Sequence, residues 1–199
     1  MLLKCVRLLL LVLFLPIWSK AIGQVTPHAQ QPGLPVTAGI GYSNFRTDWN
    51  GRLGGTTIWA NWGFDLLRPP YDGLGIEIEA RDLNFNHTGP DRKLREQTLT
   101  GGPIYNLRHY HGFQPYAKFL IGLGGIYFSP VNANFPHYTH DTRAVHALGV
   151  GLNCRFHRAF SIRGDYEYQM WPSLIHNHAL TPTGLTIGIL YDFRTHARR

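Results

Sequence analysis

From residue 35 onward the chain alternates apolar and polar side chains with a period of two, and no stretch carries a 3.6-residue apolar repeat. That pattern predicts strands over 36–46, 54–66, 73–85, 95–108, 113–128, 143–156, 159–171 and 183–193. Most exceed the roughly 5–6 residues of an average soluble strand and reach the ~9–11 residues of a tilted membrane-crossing one. Eight such strands within 199 residues predict an all-β fold in one domain, long enough to close into a barrel.

The connections sort by parity. Those after the second, fourth and sixth strands are short: Arg68-Pro69-Pro70-Tyr71-Asp72, His109-Tyr110-His111-Gly112 and His157-Arg158. Those after the third, fifth and seventh, over 86–94, 129–142 and 172–182, are longer and more polar, and the first, over 47–53, is intermediate. Short turns at one end and long loops at the other are the pattern of a transmembrane β-barrel. A soluble sandwich has no reason to sort its loops that way.

Alternation alone leaves open which face meets lipid, because a soluble lipid-binding barrel turns its apolar face inward and a membrane barrel turns it outward. The charges decide. In the third strand Leu74, Ile76, Ile78 and Ala80 oppose Glu77, Glu79 and Arg81; in the seventh Phe160, Ile162, Gly164, Tyr166 and Tyr168 oppose Arg163, Asp165, Glu167 and Gln169. Lys118 shares a face with Gly122 and Gly124, and Arg155 with Gly149, Gly151 and Asn153. In the last strand Leu185, Ile187, Ile189 and Tyr191 oppose Thr186, Gly188 and Asp192.

Faces that mix acids, bases and glycines suit the inside of an eight-stranded barrel, whose lumen is just wide enough for its own side chains. Glycines make room there, and charges of opposite sign must pair to survive burial. The outer wall of a soluble barrel would instead carry many Lys and Glu, yet only 16% of the chain is charged. The expected architecture is a closed antiparallel eight-stranded transmembrane β-barrel with a lumenal charge network of Glu77, Glu79, Arg81, Lys118, Arg155, Arg163, Asp165 and Glu167. Such a network either fills the lumen or gates small solutes and ions; at eight strands a filled lumen is expected, with a pore as the alternative. Tyr42, Trp62, Phe64, Tyr105, Tyr127, Phe156, Phe160, Tyr166, Tyr168, Tyr191 and Phe193 are candidates for interfacial girdles.

Residues 1–23 read as a cleavable signal peptide. Lys4 and Arg7 give a basic start, Leu8 to Trp18 are apolar apart from Pro16, and Ala21-Ile22-Gly23 supplies small residues two apart. The apolar run is short for a spanning helix. Residues 24–34 read as a flexible periplasmic lead-in, 35–193 as the barrel and 194–199 as a basic tail. Removal of Lys4, Arg7 and Lys20 from the 19 Lys and Arg leaves 16 against 12 acids, and three of those four surplus charges are Arg194, Arg198 and Arg199. The net charge of +7 therefore does not describe a nucleic-acid surface, since no run of Lys and Arg interleaved with aromatics follows one element. Cys5 leaves with the signal, so Cys154 has no partner for a disulfide within one mature chain.

At the last strand the pattern becomes specific. Thr186-Ile187-Gly188-Ile189-Leu190-Tyr191-Asp192-Phe193 resembles the C-terminal assembly signal of outer-membrane β-barrels, with its key positions at Thr186, Gly188, Tyr191 and Phe193. Over residues 35–193 the chain is similar to the OmpA-like and opacity-type eight-stranded barrels. Pro115-Tyr116-Ala117 followed by a glycine-rich β run, and Leu180-Thr181-Pro182-Thr183-Gly184-Leu185, carry the same likeness. One departure is that family members usually stop at the terminal Phe, whereas this chain continues with Arg194-Thr195-His196-Ala197-Arg198-Arg199.

The resemblance implies an outer-membrane protein in a structural or surface-interaction role, monomeric, with periplasmic termini and extracellular long loops. Its expected partners are outer-membrane lipids and, through the last strand, the barrel-assembly machinery; no peptidoglycan-binding domain is expected after the barrel.

Catalytic and metal chemistry fare less well. His137, His140, His176 and His178 fall in the long loops, but pairs two and three apart in loops carry no ligand geometry, so no metal and no cofactor is expected. Some outer-membrane barrels of this size are lipid A deacylases, with a His and a Ser two residues apart on the outer wall. Here the nearest pair, Ser173 and His176, is three apart, which a strand cannot place on one face. A lipid A-modifying hydrolase is thus the alternative, and no enzyme the expectation. Gly122, Gly124 and Gly125 sit mid-strand with no helix after them, which excludes a phosphate loop.

Overall fold

The computed structural model describes residues 36–48, 51–64, 73–86, 93–129, 140–175 and 178–193. The expected signal peptide (1–23), lead-in (24–34) and tail (194–199) lie outside the described residues, as do His137 and His176. The strands are β1 (Val36–Arg46), β2 (Arg52–Gly63), β3 (Leu74–Asn86), β4 (Lys93–Asn106), β5 (Phe113–Ser129), β6 (His140–Arg155), β7 (Phe160–Ile175), β8 (His178–Leu180) and β9 (Thr183–Asp192).

Each strand from β1 to β7 pairs antiparallel with the next, β7 pairs with β9, and β9 returns to β1. The sheet therefore closes on itself with eight staves, leaving β8 as a short addition to β7. Closure pairs the backbone of every stave on both sides, which removes the open edges that a flat sheet would present. The seam is built on the register Ile40↔Ile189 and Tyr42↔Ile187.

A two-residue turn lies within the connection from β4 to β5. Tyr110 and Phe113 exchange backbone hydrogen bonds of 2.8 and 2.9 Å around His111 and Gly112, which adopt φ of 49° and 84°. Both central residues lie in the left-handed region that a two-residue hairpin of this hand requires, and glycine takes the second at no steric cost.

Two expectations about the loops are corrected. The stretch over 172–182 is not mainly loop: β7 runs on to Ile175, and β8 folds back on it through Ile175↔His178 and Trp171↔Leu180. Likewise β6 begins at His140 rather than Arg143. Backbone hydrogen bonding carries these strands past the belt described below, where neither lipid nor a core imposes an alternating side-chain pattern.

The outward face forms an apolar belt around all eight staves, including Ile40, Ile58, Ile78, Leu99, Leu123, Val150, Ile162 and Ile187. Leu99 is 60% exposed, Leu123 62% and Ile187 67%. In water each uncovered Leu, Ile or Phe would forfeit roughly 1.5–3 kcal/mol, and a belt of this extent far exceeds the apolar patch of a soluble monomer. Tyr42, Trp62, Phe64, Tyr105, Tyr127, Phe156, Phe160, Tyr166, Tyr168 and Phe193 also point outward and are exposed, with Tyr191 partly so.

Candidate functional site

The inward face holds the polar residues that alternation set opposite the belt. Glu77, Glu79 and Arg81 come from β3, Lys118 from β5, and Arg163, Asp165 and Glu167 from β7, all fully buried. Lys118 Nζ lies 2.6 Å from Glu79, 2.9 Å from Glu167, 3.2 Å from Glu77 and 3.3 Å from Asp165. Arg163 grips Glu77 through both terminal nitrogens, at 2.7 and 2.9 Å, and reaches Asp165 at 3.0 Å. Arg81 bridges Glu79 and Glu167, the latter at 2.8 Å. Three cations thus hold four carboxylates in one cluster, which compensates part of the cost of taking each charge out of water.

Rings and amides clamp the cluster. The Arg163 guanidinium lies between the Trp59 and Tyr116 rings, 4.8 and 4.4 Å from their centroids, and Arg81 lies 4.1 Å from the Phe45 ring. Tyr116 donates its hydroxyl to Asp165 at 2.9 Å. Gln169 donates to Glu167 at 2.8 Å and accepts from Trp171 Nε1 at 2.9 Å. On the opposite wall Arg81 Nε donates to Thr57, whose hydroxyl meets Ser43, which in turn meets Thr186 at 2.7 Å.

Toward the loop end the lumen lining becomes largely apolar, with Glu96 buried beside Leu83 and Ile126. Phe45, Leu53 and Leu83 form one buried cluster, Ile126, Val145 and Trp171 another, and Leu94 packs against both. Charged network and apolar plug therefore lie in series along the barrel axis. Glycines make the space. A Cβ on Gly39, Gly41 or Gly188 would run into Trp59, and one on Gly124 would run into Trp171 and Val145. The Trp59 ring that backs Arg163 is thus seated on glycines from both sides of the β1–β9 seam.

Arg155, expected in this network, does not join it. It lies on the lumen side of β6 but at the turn-end mouth, with its side chain 45% exposed, and pairs with Asp192 at 3.7 Å. Alternation fixes a residue's face, not its depth, and Arg155 is the last residue of β6. Sequence reasoning also passed over Glu96, Ser43, Thr57, Tyr116 and Trp171, all of which are buried. Only Glu96 carries a formal charge, and it lies near the start of its strand, where alternation is short.

Of the last-strand signature, Thr186 and Gly188 face the lumen seam, and Tyr191 and Phe193 lie at the turn end with rings edge to face at 4.8 Å. Among the described residues no group of three or more His, Cys, Asp or Glu side chains is arranged to hold a metal ion. His140 contacts Thr142 at 3.1 Å and the Tyr127 ring. His178 lies in β8.

Residues 8–193 match the model of a protein family described as the outer membrane protein beta-barrel domain. Among solved structures, Neisserial surface protein A (NspA) aligns with 79% of this chain and 96% of its own at TM-score 0.57 and 13% identity. Ail, the attachment invasion locus protein of Yersinia pestis, aligns with 78% of this chain and 97% of its own at TM-score 0.50 and 18% identity. At such identities these likenesses establish a shared fold. No curated protein matches the chain.

Proposed function

The chain belongs to the outer membrane protein beta-barrel domain family, and on that premise we propose that it is a sealed integral barrel of the outer membrane with a structural or surface-interaction role. Its short turns and both termini face the periplasm, and its longer connections face outward. The observation that carries this reading is the series arrangement inside the barrel, in which the Lys118-centred cluster is followed by the apolar plug around Leu94. An ion crossing the lumen would have to break several buried ion pairs and then traverse a largely apolar constriction in which Glu96 is the buried acid, both costly.

The last strand supports a further part of the proposal. β9, the last stave in chain order, forms the seam with β1, and in this reading Thr186, Gly188, Tyr191 and Phe193 present the edge that the assembly machinery recognises before the seam closes. Catalysis forms no part of the proposal, because the cluster's carboxylates are tied to cations and none is poised toward the membrane.

Single-channel recording of the refolded protein in planar bilayers tests the seal. A silent membrane is expected, and reproducible step openings would overturn the filled-lumen reading in favour of a pore.

A further inference from the structure

Two turns at one end of the barrel concentrate basic side chains just beyond a row of aromatic rings. The β4–β5 turn carries Arg108, His109 and His111; the β6–β7 turn carries His157 and Arg158; and Arg155 ends β6. All six are exposed. The turns are neighbours: Phe113 pairs with Cys154, and Arg155 N donates to Gly112 O at 2.8 Å. Among the described residues Asp192 pairs with Arg155, and neither Arg108 nor Arg158 forms an ion pair. The sequence then continues from Phe193 with Arg194, Arg198 and Arg199.

Below these cations runs a ladder of outward rings. Phe156 stacks on Phe160, Phe160 meets Tyr191 edge to face at 5.2 Å, and Tyr191 meets Phe193 at 4.8 Å. Exposed Tyr105, Tyr110 and Phe113 extend it along β4 and β5. Aromatic rings of this kind settle at the level of lipid headgroups. Arg108 and Arg158 lie one to three residues past Tyr105, Leu107, Phe156 and His157 in sequence, on the turn side of these rings.

We infer that these two turns form a basic collar that selects anionic phospholipids, with Arg108 and Arg158 binding headgroup phosphates of the leaflet bordering the turn end. This rests on the membrane-barrel reading above. A guanidinium offers paired N–H donors that match a phosphate, and a zwitterionic headgroup offers the same phosphate already neutralised by its own cation. Discrimination therefore follows from net headgroup charge, weakens with salt, and involves only the lipids that touch this sector of the barrel.

Cys154 supplies a native reporter. It is half-buried, faces outward beside Phe113 and Ile162, and immediately precedes Arg155. The mature chain, carrying a bimane fluorophore on Cys154, is refolded into phosphatidylcholine vesicles doped with about 20% phosphatidylglycerol. Either lipid is supplied with brominated acyl chains. Quenching per mole of brominated lipid is expected to be about threefold higher for phosphatidylglycerol, and to become equal for the two lipids at about 0.5 M salt. The Arg108→Gln/Arg158→Gln variant, checked for the same heat-induced gel shift as the parent, is expected to lose the preference. Equal quenching in the parent, or a preference that survives in the variant, overturns the collar while leaving the barrel intact. Absence of quenching by both lipids overturns the barrel reading and the collar with it.

Discussion

Arg163 and Glu77 face each other across the lumen, from β7 and β3, joined by two parallel hydrogen bonds of 2.7 and 2.9 Å with both side chains fully buried. Neither residue has water to fall back on, so the pair matters most when half of it is removed. Arg163→Met leaves Glu77 and Asp165 with Lys118 as their remaining cation and is expected to cost about 3–5 kcal/mol. The double variant Arg163→Met/Glu77→Leu removes both charges and is expected to recover part of that loss. Urea unfolding in vesicles, followed by tryptophan fluorescence, measures both; a single variant as stable as the parent would contradict the expectation.

A second prediction separates space from signature at Gly188. A Cβ there would press on Trp59 and on the backbone of Gly41, whereas a Cβ on Gly164 would meet nothing within 4 Å. Gly188→Ala is expected to lower stability by about 1–3 kcal/mol through overpacking. Gly164→Ala is expected to leave it within roughly 0.5 kcal/mol of the parent. Equal midpoints for the two variants in the same urea titration would count against the glycine seat.

These two glycines also mark what the sequence does and does not disclose. Their opposite faces follow from counting along strands whose alternation is enforced by lipid on one side and a narrow lumen on the other. The same count places Glu77, Glu79, Arg81, Lys118, Arg163, Asp165 and Glu167 on the inward faces of β3, β5 and β7, because charge is visible in a one-dimensional pattern. It cannot see that Tyr116 and Trp59 sandwich Arg163, since an inward aromatic looks like any other strand aromatic. Nor does it reveal depth along the axis, which is why Arg155 reads like its neighbours yet stands at the mouth. The extension of β7 to Ile175 is illegible for a related reason: past the belt, backbone hydrogen bonds suffice and side-chain periodicity is lost.

The belt makes a third prediction. Ile78 is 57% exposed on the outer wall, between the inward-facing Glu77 and Glu79. Ile78→Arg places a charge against hydrocarbon and is expected to cost about 2–4 kcal/mol. Refolding yield and urea midpoint in vesicles report the loss; an unchanged midpoint would mean that this face does not meet lipid.

The fourth concerns the last strand in cells. Tyr191 and Phe193 touch edge to face, a contact worth about 0.5–1.5 kcal/mol beyond the area it buries. Phe193→Ala is therefore expected to leave the refolded barrel only modestly weakened in vitro. In a Gram-negative host the same variant should lower the amount of assembled barrel several-fold, read by quantitative immunoblot of unboiled membranes. Assembly in cells reduced no more than the in-vitro loss implies would remove the proposed role of this edge.

The most direct test is where the mature chain goes and how it runs on a gel before and after boiling. A closed barrel with a lipid-facing belt should fractionate with the outer membrane, resist alkaline extraction and migrate faster unboiled than boiled in SDS. Release by salt or alkali, together with a single band unaffected by heating, would contradict a membrane-embedded barrel.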